Sequence, residues 1–393
     1  AQYLRLFDGL NSPNFYADSA YDVRENSVFV MAPVVDFGFL SPVAYGFLTA
    51  PAPTATITVQ GSALSVLPGQ SISLVGGKVV IQGAQLPDGT VQRAQLSAPN
   101  GRILLASTAS PGEFDSTGLF AGSNVEDVSF TSYATASLEA GSSINVSGVS
   151  TGFFIKGGQL VLSVSEATLN TSGNTAPQNA ILLGPGSVIW TQNEGTDLGA
   201  DVQLIASEVQ MPGAFIISQT NGSSQGGNVT VTADRVTMEQ GSGIFSGTEG
   251  EGAGGDLSIQ GTKDAGGVAV SVTLSRGSMI AASTSGSGAG GGISITAQSL
   301  DLDVSSALNT STNGNVPNGD IVVSVGNATL SNQSTFGSVT ASSGEGAAGG
   351  KITVQGLKGE GSKADSFILE GPGTGIKSGA FGLGSLGNIE VHA

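Results

Sequence analysis

Few residues in this chain have the chemistry of a catalyst. There is one histidine, His392, and no cysteine among 393 residues. A Ser-His-Asp relay is implausible on a histidine beside the last residue, and a zinc site lacks its usual ligands. Carboxylates are the remaining candidates. Glu249, Glu251 and Asp256 share the stretch "TEGEGAGGD", Asp301 and Asp303 are two apart, Glu126 and Asp127 are adjacent, and Glu166 stands alone. Paired carboxylates can serve as acid and base on a glycosidic bond. Most of these acids lie in Gly-rich turns, with no Arg or Lys cluster to hold an acidic sugar. The loop holding Glu249, Glu251 and Asp256 is also a weak calcium candidate, lacking the dense Asp spacing of calcium-binding repeats. The expectation is no catalytic site and no cofactor.

"GSGIFSG" at 241–247 looks like a loop that wraps phosphate. A dinucleotide fingerprint needs G-x-G-x-x-G between a strand and a helix, so that the helix N-terminus meets the phosphate. Here the spacing is off by one and β-forming residues follow, so the glycines read as corners. Seven N-x-S/T sequons also occur. Asn228 opens a strand pattern, where a sugar fits poorly. Asn145, Asn170, Asn221, Asn309, Asn327 and Asn332 remain as glycosylation candidates.

The formal net charge is −17, from 13 basic and 30 acidic residues. That sign repels phosphate backbones, so no nucleic-acid partner is expected. No run of 18 apolar residues exists to make a membrane-spanning helix. Absence of cysteine suits an exported chain. The start, "AQYLRLFDG", lacks the basic and apolar regions of a signal peptide. The expectation is that a signal was removed or that this is a piece of a longer chain.

The elements that must position these residues follow from a repeat. The first fifty residues hold six Phe and four of the five Tyr, and read as an irregular, aromatic-rich end cap. From about Thr54 the texture is periodic. A unit of Gly, one variable residue, then apolar-x-apolar recurs, with first apolar residues Val229, Leu257, Ile293, Ile321, Ile352 and Ile389. Looser copies begin at Leu160 and Val202, and "ITVQG" and "VVIQG" at Ile57 and Val79 show a step of 22. The long intervals follow Gln-Gly, in "LSIQGTKDAGG" and "ITVQGLKGEGSKADS", which places an insertion at one corner. A second motif runs Leu or Met, two variable residues, Gly or a polar residue, then Ser, as in "MEQGSGIFSG" and "LSRGSMIAAS". Three short strands per unit without helical patterns predict an all-β, right-handed single-stranded parallel β-helix of roughly 12 coils. Its interior would be a packed column without a large cavity.

The stretches "AQYLRLFDG", "VDFGFLSPVAYGFL", "ITVQGSALSVLPGQSISLVGG" and "LSAPNGRILLASTASPGEF" carry a resemblance. In order and wording they resemble the filamentous haemagglutinin family, the exoproteins of bacterial two-partner secretion. Residues 1–115 resemble the C-terminal part of the haemagglutination activity domain, and 116–393 its adhesin-type β-helix repeats, continuous with the first. The resemblance implies export through an outer-membrane β-barrel transporter to the surface or surroundings of a Gram-negative-type bacterium. It implies non-catalytic attachment, aggregation or biofilm formation, with host or neighbouring-cell glycans or proteins as partners. The family's Asn-Pro-Asn-type motif is missing here; "NSPN" at 11–14 is not a substitute. Two other readings stay open. One is a structural filament subunit that self-associates end to end; the other is a polysaccharide-acting β-helix enzyme.

Overall fold

The computed structural model describes 3–6, 14–16, 42–47, 56–99, 102–107, 112–115, 136–145, 159–164, 180–193, 201–262, 267–342, 346–380 and 384–393, apart from 71 and 140. The described residues are all β, with no helix. Two long sheets dominate, one of 16 strands and one of 10, and their pairings are parallel. This is compatible with a β-solenoid.

Each stretch of chain returns to pair with the stretch before it. Val229 pairs with Leu257, Leu257 with Ile293, Ile293 with Ile321, Ile321 with Ile352 and Ile352 with Ile389. The steps of 28, 36, 28, 31 and 37 residues are those of the Gly-x-apolar repeat. The step of 22 is also a real pairing, Ile57 with Val79. Between these ends the period is looser than the texture from Thr54 implies. Val79 pairs with Ala136 and Ala136 with Ile181, steps of 57 and 45.

A repeat with an insertion makes three strand elements, as in Leu257–Gln260, Ala269–Leu274 and Met279–Thr284, and one without makes two. Val229–Glu239 is continuous, and Gly243–Thr248 follows after a turn. The long strand nevertheless serves two positions. Its first half pairs with Leu257–Gln260 and its second with Ala269–Leu274. Its buried residues are Val229, Val231 and Ala233, then Val236 and Met238. One residue slips between Ala233 and Val236, so side chains on both halves face the same interior. A strand's faces alternate with period two, and a slip of one would otherwise turn the apolar set outward.

That slip is where the insertions enter. Between Gln260 and Ala269 the chain loops out, closed by an antiparallel bridge between Gly261 and Gly267. A Cβ on Gly261 would overlap the Val268 backbone, and one on Gly356 the Lys363 backbone. Gln-Gly therefore marks the corner because only glycine lets the two feet of the loop close together.

The other corner explains the Leu/Met motif. Ser142, Ser187, Ser242, Ser278, Ser306 and Ser334 are at most 2% exposed. Ser242 donates to the Glu239 carbonyl at 2.6 Å and accepts from Gly213 N–H at 2.8 Å. Ser278 and Ser306 repeat the donation, to the carbonyls of Ser275 and Asp303 at 2.7 Å each. The variable residue of Gly-x-apolar is also used. Asp201 accepts from Asn228 N–H, Asn228 from Asp256 N–H, Asp256 from Gly292 N–H and Asp320 from Lys351 N–H, at 2.6–2.8 Å.

The aromatic N-terminal segment is not irregular where it is described. Tyr3–Leu6, Asn14–Tyr16, Pro42–Phe47 and Gly112–Asp115 form a four-stranded antiparallel sheet. The strand Gly112–Asp115 lies over 60 residues from its partner, so no local pattern announces the pairing. The long parallel sheets themselves hold strands from both sides of residue 115.

Two outcomes are expected. Ser242→Ala removes the hydroxyl to which the buried Ala214 N–H donates, while Gly213 N–H keeps the Glu239 carbonyl, and should cost about 1–3 kcal/mol in chemical denaturation. Val304 lies at φ 49°, 45% exposed, at the turn position that Asn332 fills at φ 51° one repeat on. A β-branched residue is strained there. Val304→Asn should raise stability by about 1 kcal/mol, read as a higher melting temperature.

Candidate functional site

The strands of the 10-stranded sheet have one face inward and one outward. Inward, one register column reads Ile189, Ile216, Ile244, Ile280, Leu308, Phe336 and Ile376. The neighbouring outward column reads Trp190, Ile217, Phe245, Ala281, Asn309, Gly337 and Lys377. The interior keeps one chemistry, while the exterior changes at every level.

The part of this outer face around Phe245 is the candidate site. Trp190 is 37% exposed, while Phe215 and Phe245 are half-buried. The Phe215 and Phe245 rings are stacked, with centroids 6.4 Å apart and planes at 17°. Gly243 and Gly247 flank Phe245 on the same outward face. A Cβ on Gly243 would overlap the Phe245 ring, so that ring lies back along its own strand over the glycine. Beside it is an open groove of 220 Å³, lined by Ile217, Gln219, Phe245, Glu249, Ala281 and Ser283 among others. Gln219 Nε2 donates to Glu249 Oε1 at 2.7 Å, which ties the groove wall across two repeats.

This corrects the reading of "GSGIFSG". Gly241 is a corner, at φ 75°, but Gly243 and Gly247 are strand residues. Gly243 makes room for the half-buried Phe245 ring, and Gly247 for the Ser283 backbone of the next repeat. Sequence reasoning missed Trp190, Phe215 and Phe245 as a group, because each comes from a different repeat. The signal that could have found them is phase: each stands an odd number of residues from the inward isoleucine of its strand.

The acidic candidates separate. Glu249 and Glu251 are exposed, and Glu249 belongs to the groove wall. Asp256 accepts the Gly292 N–H and belongs to the corner ladder. Among the described residues, no group of three or more His, Cys, Asp or Glu is placed to hold a metal ion. Asp301 faces outward between Thr273 and Thr329, while Asp303 accepts from Ser331 Oγ at 2.6 Å and Asn332 Nδ2 at 2.7 Å. Glu126, Asp127, Glu166 and Asn170 lie outside the described residues, as does the side chain of Asn145. Of the other sequons, Asn221, Asn327 and Asn332 are exposed and Asn309 is half-buried on the outer face. Asn327 accepts from Ser366 Oγ at 2.8 Å. Asn228 is committed to the corner ladder.

The hydrogen bond from Ser331, then that from Asn332, holds the Asp303 carboxyl below its ordinary value. The Lys351 ammonium, 2.8 Å from Glu390, lowers Glu390 through its hydrogen bond and is itself raised by it. A lowered carboxyl contributes stability above its unfolded value and loses it as pH falls through the folded one. A raised lysine loses its contribution as pH rises through the folded value. Asp303→Asn should therefore narrow its stability gap to wild type as pH drops below about 4, and Glu390→Gln should narrow its gap both there and above about 10.4. Thermal melts across pH measure both.

No protein-family model, curated protein or solved structure matches the chain.

Proposed function

We propose that the chain is a right-handed parallel β-helical rod that acts outside the cell as a non-catalytic attachment protein. The observation that supports this best is the contrast between the two register columns. A constant inward column, isoleucine in most repeats, carries an outward column that runs from Trp190 to Lys377 with a different residue at every step. A scaffold of this kind displays recognition chemistry without disturbing its core. Residues 54–393 as roughly 12 coils at about 4.8 Å each give a rod on the order of 60 Å. The haemagglutinin-like wording of residues 1–115 supports export through an outer-membrane β-barrel transporter to the surface of a Gram-negative-type bacterium. Host or neighbouring-cell glycans or proteins are the partners this reading implies. The high negative charge agrees with the absence of nucleic acid among them.

Electron microscopy of the purified chain, together with retention of protein-coated beads on epithelial monolayers and bacterial lawns, tests the reading. Discrete rods of one length and dose-dependent retention are expected. Rods that lengthen with concentration, without retention, would place the chain among structural filaments instead. Release of reducing sugar from a polysaccharide, lost in Glu249→Gln, would make it an enzyme.

A further inference from the structure

The groove beside Phe245 has chemistry that narrows what it can take. Phe245 lies along the sheet over Gly243, with Phe215 stacked beside it and Trp190 two repeats away in the same column. The wall is a Gln219–Glu249 pair, and the floor continues through Ala281 and Ser283. This combines an apolar ring with planar amide and carboxylate groups at its edge.

We infer that this face is a subsite for a neutral pyranose glycan, one sugar ring stacking on Phe245 and its hydroxyls bonding Gln219 and Glu249. A pyranose has one face of C–H bonds and an equatorial belt of hydroxyls. The first suits an aromatic ring, and the second suits an amide that donates and accepts beside a carboxylate that accepts. Charge selects against anionic sugars. The groove contains a carboxylate and no cation, on a chain of net charge −17. Size selects against enclosure. At 220 Å³ the groove is smaller than the roughly 300–1,000 Å³ of sites that engulf a small molecule. It seats one ring with its far side in water, as a longer glycan requires.

The other occupants fit less well. A peptide strand cannot add here, because the strand Gly243–Thr248 is paired on both sides, with Phe215–Thr220 and Met279–Thr284. A stable protein partner buries about 800 Å² per side, far more than one stacked ring pair and a tryptophan two repeats away present.

This inference rests on reading the chain as an attachment protein, and the two are tested apart. Trp190 is the single tryptophan, so its emission reports on this face. The full chain is titrated with neutral hexasaccharides of β-glucose, β-galactose and α-mannose, and with an oligogalacturonate, by fluorescence and calorimetry. Saturable binding of at least one neutral hexasaccharide is expected, with none of the oligogalacturonate. Phe245→Ala should weaken it at least tenfold, and Gln219→Ala severalfold. Gln219→Ala changes only a surface amide and serves if Phe245→Ala fails to fold. The inference falls if no neutral hexasaccharide binds, if oligogalacturonate alone binds, or if both variants bind as wild type does. It also falls if wild type dimerises in sedimentation and Phe245→Ala does not, since the face then belongs to a second copy. Bead retention without hexasaccharide binding leaves the attachment reading standing and removes this site; hexasaccharide binding without retention does the reverse.

Discussion

In the long parallel sheets each inward side chain stands on its counterpart in the repeat before it. Ile293 lies on Leu257 and under Ile321, although 36 residues separate one pair and 28 the other. The chain between them is constrained only to bring the next apolar residue back to the same place. Parallel pairing supplies the vertical hydrogen bonds, and burial of the aligned apolar residues supplies most of the driving force. Everything else adjusts to that return.

Three devices absorb the mismatch. The one-residue slip within strands such as Val229–Glu239 bends the chain while keeping apolar residues inside. The buried serine ladder closes the tight turn, each hydroxyl adding a second donor to a turn carbonyl that the backbone already bonds. The Gly-rich loops lie over a polar strip of the interior. There Ser246 donates to Gly227, Thr310 to Gly319 and Thr284 to Ala289, so loop carbonyls turned from water still have partners. The core is thus apolar on one side and hydroxyl-rich on the other, and the loops follow the hydroxyls.

The sequence makes the return legible because the returning residue is marked by a Gly two positions before it. The corner that accepts insertions is legible because the glycine of Gln-Gly is needed to close it. Other features are not. The antiparallel sheet joins Tyr3–Leu6, Pro42–Phe47 and Gly112–Asp115, and nothing local in those stretches names the partner. The glycines of "GSGIFSG" look alike, yet Gly241 turns the chain and Gly243 clears space for a ring. Only the third dimension separates those roles. The aromatic face escapes sequence reading for the same cause. Val188, Phe215 and Gly243 share one column, and Trp190, Ile217 and Phe245 the next, but their adjacency exists only once repeats are stacked.

The vertical pairing also sets how the molecule bears load. The strand Ile293–Leu302 is bonded to the repeats on either side of it, and its strand pairings extend no further along the stack. Tension on a chain end therefore opens one repeat while the next remains closed. A released repeat of 28 residues pays out about 95 Å of extended chain. Such a protein yields under pull in discrete steps, each dissipating the work of one repeat.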